Sequence, residues 1–521
     1  MNEQPKATRR EWIGLGVIAF PCLLYAMDLS VLNLAVPALS RDLRPSASQL
    51  LWIIDIYGFL VAGSLITMGT LGDRIGRRKL LMIGAAAFGA TSVMAAFSRS
   101  AGMLIAARAL LGLSGATLAP STLSLIRNMF HDPRERTVAI SVWITSYSVG
   151  GAIGPLLGGV MLQHFWWGSV FLLAVPVMIL LLAVAPKLLP EFRDARAGRL
   201  DLISAAMSLA SVLLVIYGLK RIAEHGLSWP AAATIVAGSI LGALFIRRQR
   251  RLADPLIDLD LFRSPAFSGA LVTYTLSLLV AFGAYVFIAQ YLQLVLGLTP
   301  LQAGLWTLPW SLGFVVGSLW TPALVRRYPR ELVMAAGLAL AAAGFVVLTR
   351  VGAGSGLVPL VTSSILFSVG LAPSITLVTD IVLGAAPPER AGAASALSET
   401  SAELGGALGI AILGSVGVAT YRGVMALAVS PGVPPEAAEA ARSTLGGAMS
   451  AAAKLPESVA GPLLAAAREA FTLGFQRVAW ISAFVSAALA VLVWRLLPDE
   501  TAGQNSGEQV DEGARKASSG A

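Results

Sequence analysis

The sequence predicts an all-α, polytopic membrane protein, and three observations carry that prediction. Of its 521 residues, 56% are hydrophobic and only 13% are charged, with a mean hydropathy of +0.75; a soluble domain carries about 25% charged residues. Apolar stretches of about 18–28 residues recur along the chain, each long enough to cross a bilayer as a helix. The segments between them are mostly short and polar. In lipid, only a helix satisfies its own backbone hydrogen bonds within one such stretch.

Taken in order, the spans are placed at 12–36, 50–70, 80–98, 102–126, 139–163, 168–186, 201–220, 229–247, 267–295, 302–325, 332–349, 357–384, 392–420 and 475–497, fourteen in all. The polar segment 1–11 precedes the first span, and no small-residue cleavage site follows it. That span is therefore expected to be a retained helix and not a signal peptide. The 52 glycines suit close helix contacts in lipid.

Loop charge sets the orientation. Loops after even-numbered spans hold Arg74, Arg77, Arg78 and Lys79; Arg127, Arg134 and Arg136; Lys187, Arg193, Arg196 and Arg199; Arg247, Arg248, Arg250 and Arg251; and Arg326, Arg327 and Arg330. The alternate loops hold few bases: Arg41 and Arg44, Arg99, Lys220 and Arg221, and Arg350. The positive-inside rule places both termini in the cytoplasm. The net charge of +9 thus reads as an orientation signal, not a nucleic-acid surface. A long external loop, 421–474, is rich in Ala, Pro and Glu, with helix-prone pieces at 435–453 and 460–470; it reads as a cap or as a plain tether. The tail 499–521 is polar and Gly/Ser-rich, the composition of a disordered segment.

No enzyme chemistry is visible. Cys22 is the only cysteine, and His131, His164 and His225 are far apart, so neither a disulfide nor a His/Cys metal site is expected. No phosphate-binding GxxxxGK[ST] loop is present, which argues against ATP as the energy source.

Four motifs stand out. In "GTLGDRIGRRKLL", Gly69 and Gly72 allow close approach of another helix, while Asp73, with Arg74, Gly76, Arg77, Arg78 and Lys79, marks a helix end where an acid can meet a base or a helix N-terminus. A weaker echo, "ALVRRYPRELVMAAG", has Val325 in the place of Asp73 and Met334 in the place of Met82, which points to a duplicated bundle with a site between halves. In "LIAARALLGLSGA", Arg108 lies about two turns inside a span, followed by Gly112. An unpaired Arg at the bilayer centre costs about 2.5–3.5 kcal/mol, so Arg108 either snorkels or faces inward and finds a partner. In "GGAIGPLLGG", Gly150, Gly154 and Gly158 form one smooth face, and Pro155 removes a backbone donor. That face reads as helix packing and, compatibly with it, as a stiff, kinked hinge between halves. In "YAMDLSVLNLAVP", Asp28 is mid-span.

Five carboxylates fall within or near the apolar stretches: Asp28, Asp55, Asp380, Glu399 and Glu403. Each is a functional candidate because each costs insertion free energy. Desolvation favours the neutral form of a carboxyl group, so an acid in this setting can exchange its charge for a proton. Glu399 and Glu403 are four apart and share a helix face; Glu403 also reads as a hydrogen-bonding residue of the bundle. Asp55 lies near Trp52 and Tyr57, an aromatic pair suited to a cation; interfacial solvation is its other reading. Asp380, about a turn from a span end, reads as a transport acid or as a partner of Arg390.

The segment Gly69–Leu81, Arg108 with Gly112, Gly154–Pro155 with Gly158–Gly159, and Asp28 with Asn33 and Pro37 resemble the signature motifs of the major facilitator superfamily. The Gly–Pro–x–x–Gly–Gly form resembles its antiporter branch, and fourteen spans with Asp28 near the start resemble the drug:proton antiporters of the QacA, LfrA and SmvA type. The resemblance covers about residues 12–497. It implies two six-helix bundles, 12–186 and 267–498, with two further helices inserted in 187–266. It also implies export of lipophilic cations against a proton gradient by a multi-pass protein of the bacterial cytoplasmic membrane, and it places Asp28, Asp55 and Glu399 where such exporters have their transport acids. The expected partners are small cationic substrates, protons and the bilayer, with no nucleic acid, no cofactor, and a monomer as the working unit. An exporter of another small molecule remains the alternative, and a receptor without transport is a third reading.

Overall fold

The computed structural model describes residues 6–45, 47–193, 201–225, 228–252, 255–352, 354, 356–429 and 433–496. The tail 499–521, with Arg196 and Arg199, lies outside them, as do the side chains of Asn33, Pro37 and Pro155. The described residues form helices and connecting turns, with no strand among them.

In chain order the helices are α1 (Arg9–Leu43), α2 (Ala47–Ile75), α3 (Arg77–Ala96), α4 (Ala101–Gly115), α5 (Leu118–Met129), α6 (Pro133–His164), α7 (Ser169–Leu172), α8 (Ala174–Leu188), α9 (Leu202–His225), α10 (Trp229–Gln249), α11 (Pro265–Gln290), α12 (Pro300–Leu324), α13 (Arg330–Leu348), α14 (Val358–Ala385), α15 (Ala391–Ala428), α16 (Pro435–Ser443), α17 (Leu445–Ala452) and α18 (Glu457–Leu496). Their ends follow local chemistry. Asp132 caps α6 by accepting from the Arg134 and Glu135 amides at 2.7 and 3.1 Å, with Pro133 in the first turn. Thr299 and Gln302 form a capping box on α12. The expected span 102–126 is split into α4 and α5 near Ala116, four residues before Pro120, which has no N–H to return to that carbonyl.

Among the described residues, thirteen helices are long and apolar enough to cross a membrane. The expected fourteenth is α12, which dilutes its apolar residues with Gln302, three tryptophans and two internal prolines. It nonetheless packs against α6 and α14 as a member of the bundle.

Helices α1–α8 pack mainly on one another, and α11–α15 with α18 form a second group. The groups meet along α2 with α15, α5 with α15 and α14, and α6 with α12 and α14. The inserted pair α9 and α10 packs together, and α9 lies on both α2 and α15, along one side of that junction. A Cβ on Gly63 would meet Leu209 and Leu213, so the glycine admits α9 to α2. At the basic end of the pair, Asp201 accepts from Ser204 and Arg248. Burial raises the Asp201 carboxyl, but these hydrogen bonds and the Arg248 charge outweigh it and hold the group below its usual value.

Two expectations become specific. The segment 421–474 is not a plain tether: α15 continues to Ala428, α18 begins at Glu457, and α16 and α17 fold onto them. Ala441 and Ala448 are fully buried there, and the Tyr421 hydroxyl donates to the Ala441 carbonyl at 2.7 Å. The second concerns the glycine face of α6. A Cβ on Gly150 would strike the Leu23 backbone, and one on Gly158 would strike Val31. These glycines seat α6 against α1 inside one group, the contact a packing face makes. Gly154 is buried on the same helix, while Gly159 has open space around it.

Candidate functional site

Two clusters of charge join the halves, and the sequence-predicted residues divide between them.

The first lies at the end that carries the Arg-rich loops. Gly69 lets α2 approach α15 so closely that a Cβ there would meet the Gly392 carbonyl and Ala396. Asp73, one turn on, accepts from the Gly392 and Ala393 amides at 3.0 Å each. Its carboxylate therefore caps the N-terminus of α15, where free amides and the helix dipole favour negative charge. Arg77 pairs with Asp73 at 2.7 Å and donates to the Pro388 and Glu389 carbonyls at 2.6 and 3.0 Å. Gly72 leaves room for Leu80 within the α2–α3 hairpin. Gly76 has φ +112°, a conformation that favours glycine. Arg74 ends α2. Arg78 donates to the Leu189 carbonyl at 2.9 Å and faces Glu191, whose carboxylate accepts from the Arg78 and Lys79 amides at 3.1 Å each.

Asp380 belongs to the same cluster. It is wholly buried, pairs with Arg136 at 2.6 Å, accepts from the Thr137 hydroxyl at 3.0 Å and faces Arg330 at 3.6 Å. Beside it Arg127 donates to the Leu383 carbonyl at 3.2 Å. The expected Asp380–Arg390 pair is replaced, because Arg390 reaches Asp258 at 3.2 Å. A carboxylate held by two guanidiniums has its charge compensated where it lies. The weakened second loop motif fits this arrangement: with Val325 in place of an acid, its base Arg330 finds its carboxylate on α14.

The second cluster is deeper. Arg108 is 1% exposed and donates to Asp28 at 2.6 Å and to the Ile53 carbonyl at 3.2 Å. It does not snorkel. Its guanidinium also lies 4.6 Å from the centre of the Tyr57 ring. Gly112 permits this, since a Cβ there would strike the Tyr57 backbone. The expected Trp52–Tyr57 cage does not form. Five residues on a helix turn about 140° past a full turn, so the two rings face apart: Tyr57 is buried on Arg108, and Trp52 is 42% exposed beside Phe59. Asp55 is half-buried on the same helix.

Across the junction, α15 brings Glu399 and Glu403 to this cluster. The Tyr25 hydroxyl donates to Glu403 at 3.2 Å, a bond from the first helix to the other half. Glu399 Oε1 is buried and has no hydrogen-bond partner among the described residues. Tyr25, Tyr147 and Tyr274 lie near enough to sense its charge, and Tyr147 packs on Trp143 and Tyr25 at 4.8 and 5.7 Å between ring centres. The Tyr25 and Tyr57 rings, 6.0 Å apart, link the Glu403 bond to the Asp28–Arg108 pair. The result is an aromatic site holding one compensated acid, one hydrogen-bonded acid and one acid whose buried Oε1 has no partner among the described residues. Among the described residues, no group of His, Cys, Asp and Glu could hold a metal ion.

Sequence reasoning missed Arg136, Thr137, Arg127, Glu191, Tyr147 and Tyr274. Arg136 was visible only as one more loop base, and the tyrosines as ordinary span residues.

The first cluster, taken as a latch, gives the first expected result. Removing one partner of a buried ion pair costs about 3–5 kcal/mol. Asp73→Asn and Asp380→Asn are therefore expected to cut the initial efflux rate roughly tenfold or more while the protein still inserts. A cysteine at Ala396, buried beside Gly69, should become accessible to a permeant thiol reagent in both variants. Normal efflux with Ala396→Cys still protected removes the latch role.

Comparison with known proteins adds three findings. The family model described as the Major Facilitator Superfamily matches residues 18–410. The chain is 42% identical over 492 residues to the multidrug efflux pump LfrA of Mycolicibacterium smegmatis, covering 94% of this chain and 97% of LfrA. It is 36% identical over 469 residues to the methyl viologen resistance protein SmvA of Salmonella typhimurium, covering 89% and 93%. It is 32% identical over 505 residues to the tetracenomycin C resistance and export protein of Streptomyces glaucescens, covering 95% and 93%. Among solved structures, the human organic anion transporter MFSD10 (TETRAN) aligns with a TM-score of 0.58 at 16% identity, covering 93% of this chain and all of that one. A bacterial homologue of the human lysosomal transporter Spinster aligns with a TM-score of 0.54 at 17% identity, covering 94% and 98%. At these identities the structures speak to the fold alone.

Proposed function

The chain belongs to the Major Facilitator Superfamily, and from that membership we propose that it is a proton-coupled antiporter exporting lipophilic cationic drugs, antiseptics and dyes across the bacterial cytoplasmic membrane. The observation that carries this reading is Glu399, whose carboxylate Oε1 is buried without a hydrogen-bond partner among the described residues, in an aromatic site at the junction of the halves. An ionised carboxylate is costly there unless a cation or a proton joins it. Aromatic faces add attraction for a soft cation. The names of its relatives agree in kind: a multidrug efflux pump, and a resistance protein for methyl viologen, which is a dication.

The proposed cycle uses that competition. A lipophilic cation enters from the cytoplasm or inner leaflet and is held by Glu399 among Tyr25, Tyr147 and Tyr274. A proton from outside neutralises the carboxylate, and the cation leaves. The proton returns inward with the gradient; each charge moved through 100 mV contributes about 2.3 kcal/mol. Tyr25 carries the state of Glu403 to Tyr57 and the Asp28–Arg108 pair, while the Asp73 and Asp380 latch opens and closes the cytoplasmic end. In this reading 1–11 and 499–521 are cytoplasmic, 12–186 and 267–498 are the two bundles, 187–266 holds the inserted pair, and the working unit is a monomer.

A second reading has one specific support: the similarity to an exporter of tetracenomycin C, an aromatic antibiotic, allows a neutral substrate instead of a cation. Ethidium accumulation in cells lacking their other exporters separates the two. Expression of this chain is expected to lower accumulation, and an uncoupler to restore it. Accumulation that the chain does not change, or exclusion that survives the uncoupler, overturns the proposal.

A further inference from the structure

The end of the N-terminal half opposite the latch contains a cavity of about 640 Å³ that the transport reading does not use. Its volume falls in the range of small-molecule sites, about 300–1,000 Å³. Three separate connections build it: the end of α1 supplies Asp42, the α3–α4 turn supplies Phe97 and Arg99 with Met103 just beyond, and the α6–α7 turn supplies Trp166 and Trp167.

Hydrogen bonds fix its walls. The Trp167 indole donates to Asp42 Oδ2 at 2.7 Å, and the Trp166 indole donates to the Ala96 carbonyl at 3.1 Å. Asp42 Oδ1 and the Arg99 guanidinium, both on exposed side chains, have no hydrogen bond or ion pair among the described residues. The Phe97 and Trp166 rings pack 5.6 Å apart and are 55% and 45% exposed. Tryptophan at a helix end belongs to the zone where headgroups meet acyl chains.

The chemistry of the lining selects one class of ligand. Arg99 repels a simple cation, and Asp42 repels a simple anion. A zwitterion satisfies both. A water-soluble zwitterion would gain nothing from the exposed Phe97, Met103 and Trp166 rim, whereas a lipid would lay its glycerol and upper chains along it. A guanidinium binds a phosphate through parallel N–H bonds, and a primary ammonium can donate to a carboxylate while lying on indole faces. We propose that this cavity holds the headgroup of an outer-leaflet phosphatidylethanolamine, with its phosphate on Arg99 and its ammonium on Asp42 between the two tryptophans. The lipid would tie together three connections of the N-terminal half on the face away from the latch.

Native mass spectrometry of the full-length, detergent-purified protein tests this without reference to transport. Delipidated protein is titrated with dioleoyl phosphatidylethanolamine, phosphatidylcholine and phosphatidylglycerol in separate runs. The ethanolamine lipid is expected to be retained best, since the choline headgroup cannot donate to Asp42 and the glycerol headgroup has no cation. Arg99→Ala is expected to weaken both phosphatidylethanolamine and phosphatidylcholine about tenfold, the effect of one charged hydrogen-bond partner. Asp42→Asn keeps an oxygen for Trp167 and so preserves the wall, but it is expected to erase the preference for ethanolamine over choline. Melting temperatures matching the unsubstituted protein show that the variants are folded; where Arg99→Ala falls short, Arg99→Gln takes its place. Equal retention of phosphatidylethanolamine and phosphatidylglycerol, or an unchanged preference in both variants, overturns the assignment. So does displacement of the lipid by ethidium in the unsubstituted protein, which would make the cavity a drug site.

Discussion

Glu399→Gln is expected to abolish uncoupler-sensitive efflux of a monovalent lipophilic cation while leaving the protein inserted and folded. The substitution keeps the side chain's size and its place on α15 but removes both the charge and the titration. The two other acids of this site are already engaged. Glu403 is committed to the Tyr25 hydroxyl, and Asp28 is charge-compensated by Arg108 at 2.6 Å. Because Glu399 Oε1 has no partner among the described residues, the loss of its charge leaves no buried base stranded. The fold is therefore expected to be unharmed, or slightly more stable, as the cost of a buried carboxylate disappears. Membrane levels and melting temperature should match the unsubstituted protein while ethidium efflux falls to the background of cells without it. Glu436, exposed on α16, serves as the control; Glu436→Gln is expected to change nothing. Full efflux by Glu399→Gln removes this residue from the coupling step.

The second large effect belongs to the Asp28–Arg108 pair. Here loss of one partner leaves an opposite charge buried, which costs about 3–5 kcal/mol. Asp28→Asn strands Arg108, which retains the Ile53 carbonyl and the Tyr57 ring; Arg108→Ala strands Asp28 and also frees Tyr57. Both are expected to abolish efflux, and Arg108→Ala is expected to lower the amount of folded protein more. The double variant, Asp28→Asn with Arg108→Gln, removes both charges and is expected to recover folding but not efflux. That split distinguishes a transport role from a purely structural one: recovery of efflux along with folding assigns the pair to stability alone.

Much of this architecture was legible before the structure. The placement of thirteen of the fourteen expected spans followed from a simple constraint, that an apolar helix about 20 residues long crosses the bilayer. Arg108 was marked by cost: a base that deep needs a partner, although the sequence did not say that the partner was Asp28. Gly69 and Asp73 were marked by a spacing that few other demands would produce. What stayed hidden were relations between distant segments. Asp380 sits 244 residues from Arg136, and no local pattern foretells that pairing. Trp52 and Tyr57 looked like a pair in the sequence, yet helical geometry turns them apart. The α6 glycines read as a packing face and as a hinge, but which helix packs on a small-residue face is not written locally, and that neighbour is α1. The cap formed by α16 and α17 was ambiguous because alanine-rich segments fold onto a surface or remain loose depending on what faces them.

In the proposed cycle one carboxylate, Glu399, alternates between a proton and a cation. Substrate-induced proton release tests it most directly. Purified protein in weakly buffered detergent solution, at a pH where Glu399 is protonated, is mixed with a monovalent lipophilic cation, and the bulk pH is followed with an indicator dye. The pH is expected to fall for the unsubstituted protein and for Glu436→Gln, and not for Glu399→Gln at a cation concentration that saturates the other two. Proton release by Glu399→Gln equal to that of the unsubstituted protein would contradict it.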